Sequence, residues 1–136
     1  MKKVMVFGTF DIFHKGHEDF FRQAREFGGY LIVVIARDEN VFKIKGNLPD
    51  NTEINRQNEI SKSELADEAV LGNLNDRYEV IKKFKPDAIC LGYDQKVLIE
   101  ELEKKLIEFD LGSTKLMRLN SYFPKIYKSS KLRELK

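Results

Sequence analysis

Five short apolar runs recur along the chain: "KVMVFG" (3–8), "YLIVVIA" (30–36), "DEAVLGN" (67–73), "DAICLG" (87–92) and "TKLMRL" (114–119). Most lack the apolar/polar alternation of a half-exposed strand, so both faces of the strands they form must be covered, as in parallel sheets. The stretches between them have helical character. Phe20, Phe21, Ala24 and Phe27 follow helical spacing from His17 to Phe27, and Gly28-Gly29 ends the segment. Asp38 opens a short helical or irregular stretch, and the polar segment 43–53 is broken by Gly46 and Pro49. "NTEINRQNEISKSEL" reads as a polar helix capped at Asn51 or Thr52. Tyr78, Val80, Ile81 and Phe84 form an amphipathic helix stopped by Pro86, and Leu98, Leu102, Leu106 and Phe109 share one face of a helix over 96–109. "SSKLRELK" would be a final helix.

Strand alternating with helix predicts an α/β fold: a single doubly wound, Rossmann-like domain over residues 1–136 with a five-stranded parallel sheet. In such sheets ligands bind beyond the carboxyl ends of the strands, where the strand order reverses. That rule selects the loops 8–17, 36–46, 92–96 and 119–130.

Charge and cysteine content narrow the function. The net charge of +2 hides an asymmetry: residues 115–136 carry seven Lys/Arg against one acid, Glu134, and the remainder holds 17 basic against 21 acidic residues. A basic tail suits a nucleic-acid arm, a solvated helix or a local anion site. Stacking aromatics on a sheet face, the usual companion of nucleic-acid binding, are not evident. No apolar run approaches the roughly 18–20 residues of a membrane span, and "MKKVMVFGTFD" is too short in its apolar part for a secretory signal. The lone Cys90, in "AICLG", reads as a small buried hydrophobe, and a cytoplasmic location is expected.

"GTFDIFHKGH" (8–17) follows the first strand and holds both histidines of the chain. Gly8 is expected to let the chain turn sharply off the strand, and Gly16 to let backbone approach a ligand at the helix start. His14 and His17 are three residues apart and can converge on one spot. Two imidazoles beside backbone N–H groups suit a phosphate that gains charge in a transition state. A metal site would need further ligands, and the sequence supplies no third histidine. Neither a P-loop nor a dinucleotide fingerprint has the right spacing here.

This stretch resembles the His-x-Gly-His signature of the nucleotidyltransferase superfamily that includes cytidylyltransferases, phosphopantetheine adenylyltransferases and archaeal-type FAD synthases. The resemblance implies that a nucleoside triphosphate lies with His14 and His17 at its phosphates. An acceptor phosphate would attack the α-phosphorus directly and release pyrophosphate. It also implies that Thr9 and Phe10 touch the nucleotide through backbone and ring. A lysine of "ARDENVFKIKG", Lys43 or Lys45, would reach the acceptor phosphate. Arg56 stands near the family's phosphate-binding arginine, with a solvated helix arginine as the plainer reading. Gly92 and Asp94 of "LGYDQ" would approach the nucleoside. Lys128, Ser129 and Ser130 of "YKSSKLRE" would hold the β- and γ-phosphates, or the serines would simply cap a helix. Mg2+ is expected as the counter-ion, with Asp11 as a protein ligand. Family members are often dimers, so a homodimer is also compatible with the resemblance.

The substrates rest on fewer residues. "GYDQ" resembles archaeal-type FAD synthases, which implies AMP transfer from ATP to FMN. The alternative is a cytidylyltransferase using CTP and glycerol 3-phosphate or a similar small phosphate. The third reading is a non-catalytic flavin or nucleotide binder on the same fold. No nucleic acid or membrane partner is expected.

Overall fold

Val4, Met5 and Val6 are fully buried in succession, which is possible only for a strand covered on both faces. They belong to β1 (Lys3–Gly8), the central strand of a five-stranded sheet. The computed structural model describes residues 2–76, 78–92 and 98–119. Along the chain, β1 is followed by α1 (Lys15–Ala24), which runs on into a 3-10 turn (Arg25–Phe27), then β2 (Tyr30–Ile35), α2 (Asp38–Lys45) and α3 (Glu53–Lys62). β3 (Glu68–Leu71), α4 (Glu79–Phe84), β4 (Ala88–Leu91), α5 (Leu98–Glu108) and β5 (Lys115–Arg118) complete the described part.

The strand order is β3-β2-β1-β4-β5 and every pairing is parallel, so the fold is the expected Rossmann-like α/β arrangement. Two cores result from the two-residue period of the strands. Val4 and Val6 face Phe21, Ala24 and Ile60 of α1 and α3. Met5, with Ile32 and Val34, faces Val80, Ile81, Leu102 and Leu106 of α4 and α5. From β1 the chain winds outward through β2 and β3, then returns to place β4 on the other side. The strand order therefore reverses between β1 and β4, and the loops after these two strands flank the reversal.

Each expected strand is present with slightly tighter ends. The polar helix is capped by Thr52, whose Oγ1 accepts from the Asn55 N–H. The first helix starts earlier than its apolar spacing implied, at Lys15, because His14 acts as its N-cap. The irregular stretch after β2 is a helix, α2, closed by Gly46 in the left-handed conformation at φ 78°. The expected final helix lies outside the described residues. Cys90 is fully buried with a free thiol that burial pushes up to about 12, as an inert core residue should be.

Candidate active site

The loop from Gly8 to His14 leaves the central strand at the reversal point, and three features fix its shape. First, Phe10 adopts φ 52°, a conformation that a bulky residue rarely holds. Its ring turns inward, packing edge-on to Phe21 at 5.4 Å and to His17 at 5.1 Å. A Cβ on Gly8 would sit 2.6 Å from that ring, so glycine is required there for close packing rather than for a sharp turn. Phe10 is almost wholly buried, its ring engaged in this packing.

Second, Asp11 is buried, and its carboxylate accepts from the Asp50 N–H and the Asn51 N–H, both at 2.8 Å. The side chain fastens the loop to the start of the α3 segment. Among the described residues, no three His, Cys, Asp or Glu side chains come together as a metal-holding group.

Third, Arg56 is neither a solvated arginine nor an open phosphate contact. Its side chain is fully buried, and Nη1 donates to the Thr9 carbonyl at 2.8 Å. Nε donates to the Asn51 carbonyl at 3.1 Å, and Nη2 meets Asp38 Oδ1 at 2.6 Å. A guanidinium held on all of these partners is a strut between the first loop, α2 and α3. The sequence reading missed Asp38, Asn51 and Glu53. The Asp38 N–H donates to Glu53 Oε1 at 2.9 Å, and the Glu53 N–H donates to Asp38 Oδ2 at 3.2 Å, a reciprocal clasp across fifteen positions. The signal for it was the pairing of "ARD" at a strand end with Glu53 and Arg56 one turn apart at a helix start.

On this frame the two histidines do converge. Their rings stack with centroids 3.8 Å apart, and Phe13 lies nearly parallel to His17 on its other side at 5.8 Å. His14 Nδ1 accepts from the Gly16 N–H at 3.0 Å, and His17 Nδ1 accepts from the His14 N–H at 3.3 Å. Gly16's N–H is thus used within the cap. With both Nδ1 atoms acting as acceptors, the neutral rings carry their protons on Nε2. Burial lowers the His14 pKa to about 4. Burial, and then the neighbouring His14, lower that of His17 to about 3. The empty site at neutral pH therefore offers two uncharged N–H donors held side by side.

This arrangement fixes a pH dependence of stability. Both folded-state pKa values lie below the ordinary 6.5, so below that pH the unfolded chain takes up protons that the native pair refuses. Stability contributed by the pair is complete above pH 6.5 and falls as the pH drops toward 4. Urea midpoints should fall more steeply over that interval in the native sequence than in a His14→Asn/His17→Asn double variant. Parallel declines would contradict the burial-driven shifts.

Of the other expected site residues, Lys43 and Lys45 stand on α2. Lys43 pairs with Glu39 at 3.5 Å on the outward flank, and Lys45 is exposed. Thr9 presents its backbone at the loop, and Gly92 follows directly after β4 at the reversal point. Asp94, Lys128, Ser129 and Ser130 lie outside the described residues. A cleft of about 400 Å³ opens between residues 10–13 and α3, and neither histidine lines it, so it is not where the donors point.

A doubly wound sheet with a paired imidazole donor site at its first loop defines a nucleotidyltransferase. Residues 5–135 match the cytidylyltransferase-like family, and the chain belongs to it. Its relatives include the FAD synthase of Ferroglobus placidus, 42% identical over 116 residues, spanning 82% of this chain and 74% of that protein. The FAD synthase of Picrophilus torridus is 36% identical and the match spans 96% and 93% of the two chains. Among solved structures, a lipopolysaccharide core biosynthesis protein of Thermoplasma volcanium superposes with a TM-score of 0.83 at 36% identity, covering 90% and 98%. A pantoate-beta-alanine ligase of Francisella tularensis, at 16% identity and a TM-score of 0.60, shares the fold.

Proposed function

We propose that the protein transfers AMP from ATP to FMN, forming FAD and pyrophosphate. The donor chemistry rests on one observation, the stacked histidines whose Nδ1 atoms both accept backbone N–H bonds at the start of α1. The acceptor rests on the FAD synthases that match at 35–42% identity over most of the chain.

A phosphate oxygen of FMN bonds to the α-phosphorus of ATP, and the bond from that phosphorus to the bridging oxygen of pyrophosphate breaks. Pyrophosphate carries away the electron pair. Charge grows on the α-phosphoryl oxygens and the leaving group, and preorganised N–H donors at 14 and 17 stabilise it. The backbone at Thr9 and Gly92 lies where the nucleotide would thread the reversal point. Lys45 is favoured over Lys43 for the acceptor phosphate, because Lys43 already faces Glu39 on the outer flank. Lys128, Ser129 and Ser130 are assigned to the β- and γ-phosphates, and Asp94 to the nucleoside. Magnesium, when bound, would neutralise charge on the triphosphate, held mainly by phosphate and water with Asp11 as the protein ligand assigned to it. The reaction is assigned to the cytoplasm, in keeping with the single, buried thiol.

The test is a matrix of ATP and CTP against FMN, glycerol 3-phosphate and phosphopantetheine with Mg2+. FAD and pyrophosphate should appear in equal amounts from ATP with FMN. Pyrophosphate release from CTP with glycerol 3-phosphate instead would replace the acceptor and the base together. Tightly bound flavin with no turnover of any triphosphate would make the chain a binder.

A further inference from the structure

The ring of His17 is held by its neighbours more than by hydrogen bonding. Its Nδ1 accepts from the His14 N–H at 3.3 Å, a long bond that restrains rotation of the ring only weakly. Among the described residues three rings contact it: His14 stacks at 3.8 Å between centroids, Phe10 meets it edge-on at 5.1 Å, and Phe13 lies within 10° of parallel at 5.8 Å. Phe10 and Phe13 are themselves anchored on the fully buried Phe21, at 5.4 and 5.7 Å.

Phe13 stands just before the N-cap of α1, where an apolar residue often packs back onto the first turn and fixes the entry angle of the chain. Here the first turn presents His17 to that ring, so the packing device of a helix start bears on an imidazole. The two phenyl rings have a second neighbour. Phe10 and Phe13 both line the cleft of about 400 Å³ beside α3, and His17 does not. They therefore form the partition between the cleft and the imidazole. Phe10 is fixed in that partition by its backbone at φ 52° and by its close contact with Gly8. Phe13, only half-buried, is the part of the wall that a substitution can open.

We infer that Phe13 is a positioning residue for the transfer reaction, its ring closing His17 off from the cleft and holding the imidazole with Nδ1 on the helix cap and the proton on Nε2. The inference rests on the proposed role of His17 as a donor to the reacting phosphates. Phe13 acts through His17 rather than on a substrate. A phenyl wall carries neither charge nor a competing hydrogen-bonding group, so it withholds water from the imidazole without occupying either nitrogen. In keeping with that enclosure, burial and then His14 lower the His17 pKa to about 3.

The chain has only two histidines, so both imidazoles can be followed through a pH titration by nitrogen NMR and told apart with His14→Asn. Phe13→Ala should raise the His17 pKa by about one unit or more and mix its two neutral tautomers. In turnover assays the same variant should lower kcat about 10-fold or more, with the KM for ATP and for FMN within about twofold of native. Phe13→Tyr, which keeps the ring, should restore both readouts. Phe13→Leu, a milder change that serves if the alanine variant does not fold, should move both in the same direction by less. A His17 pKa and tautomer that stay native in Phe13→Ala and Phe13→Leu overturn the inference whatever the rate does, because a purely structural Phe13 would give that result. A raised KM for FMN at native kcat also overturns it, by making Phe13 an acceptor contact. If the native protein releases no pyrophosphate from any triphosphate, the proposed function fails, whereas the NMR titration still reads the screen around His17.

Discussion

His14→Asn is expected to lower kcat at least about 100-fold while leaving the fold nearly as stable as before. The two effects separate because His14 does two things with two different nitrogens. Its Nδ1 caps α1 by accepting from the Gly16 N–H, and an asparagine oxygen does that at least as well, being among the preferred capping groups. Its Nε2 proton faces away from the cap, and asparagine has nothing at that position. Loss of one preorganised donor to a developing oxyanion typically costs about 10²–10³ in rate. His17→Asn follows the same logic, since an asparagine oxygen can still receive the His14 N–H that His17 Nδ1 now accepts. Because the rings stack at 3.8 Å, each also orients the other, and the double variant should lose less than the product of the single losses. Initial rates at saturating ATP and FMN, with urea denaturation on the same samples, measure both arms. Near-native kcat in both single variants would remove the histidines from the mechanism.

The capping also shows what the sequence could and could not reveal. The strands were legible because a parallel strand buried on both faces leaves an uninterrupted apolar run, as in Tyr30–Ile35. The histidine pair was legible because its members are local, three residues apart after a strand. The start of α1 was misplaced because histidine is not a usual cap, and only the bond from Gly16 discloses it. The inward direction of Phe10 was not legible because it depends on a left-handed backbone, which residue type disfavours. Asp11 and Arg56 were read as ligand contacts from the resemblance, Arg56 with a solvated helix arginine as the alternative. Their true partners lie about forty residues away, at Asp50, Asn51 and Thr9, and are fixed by packing α3 beside the first loop. Charge marks a residue as in need of a partner; only the fold says whether the partner is protein or substrate.

Arg56→Met should be the most destabilising single substitution of a polar residue among the described residues. Methionine fills much of the volume but supplies no donor, so the Thr9 and Asn51 carbonyls lose the guanidinium and Asp38 keeps only the Glu53 N–H, at Oδ2. Removing one member of a buried ion pair costs about 3–5 kcal/mol. Asp38 keeps some access to water, at 29% side-chain exposure, so the loss belongs at the lower end, about 3 kcal/mol. Against a typical total of about 5–15 kcal/mol that is a large fraction of the stability. Asp38→Asn in the Arg56→Met background should recover part of it, because the stranded charge is removed, and a double-mutant cycle should return a coupling of about 1 kcal/mol or more. A loss below about 0.5 kcal/mol would mean that the guanidinium is not the strut its contacts describe. Activity should fall as well in protein that is still folded at the assay temperature. Arg56 is the link through which α2, at Asp38, is held against the first loop, at Thr9. A displacement of about 1 Å in such a positioning element is enough to cost about 100-fold in rate. That decline should appear mainly in kcat, since the groups that bind ATP and FMN are all still present and only their relative placement has changed.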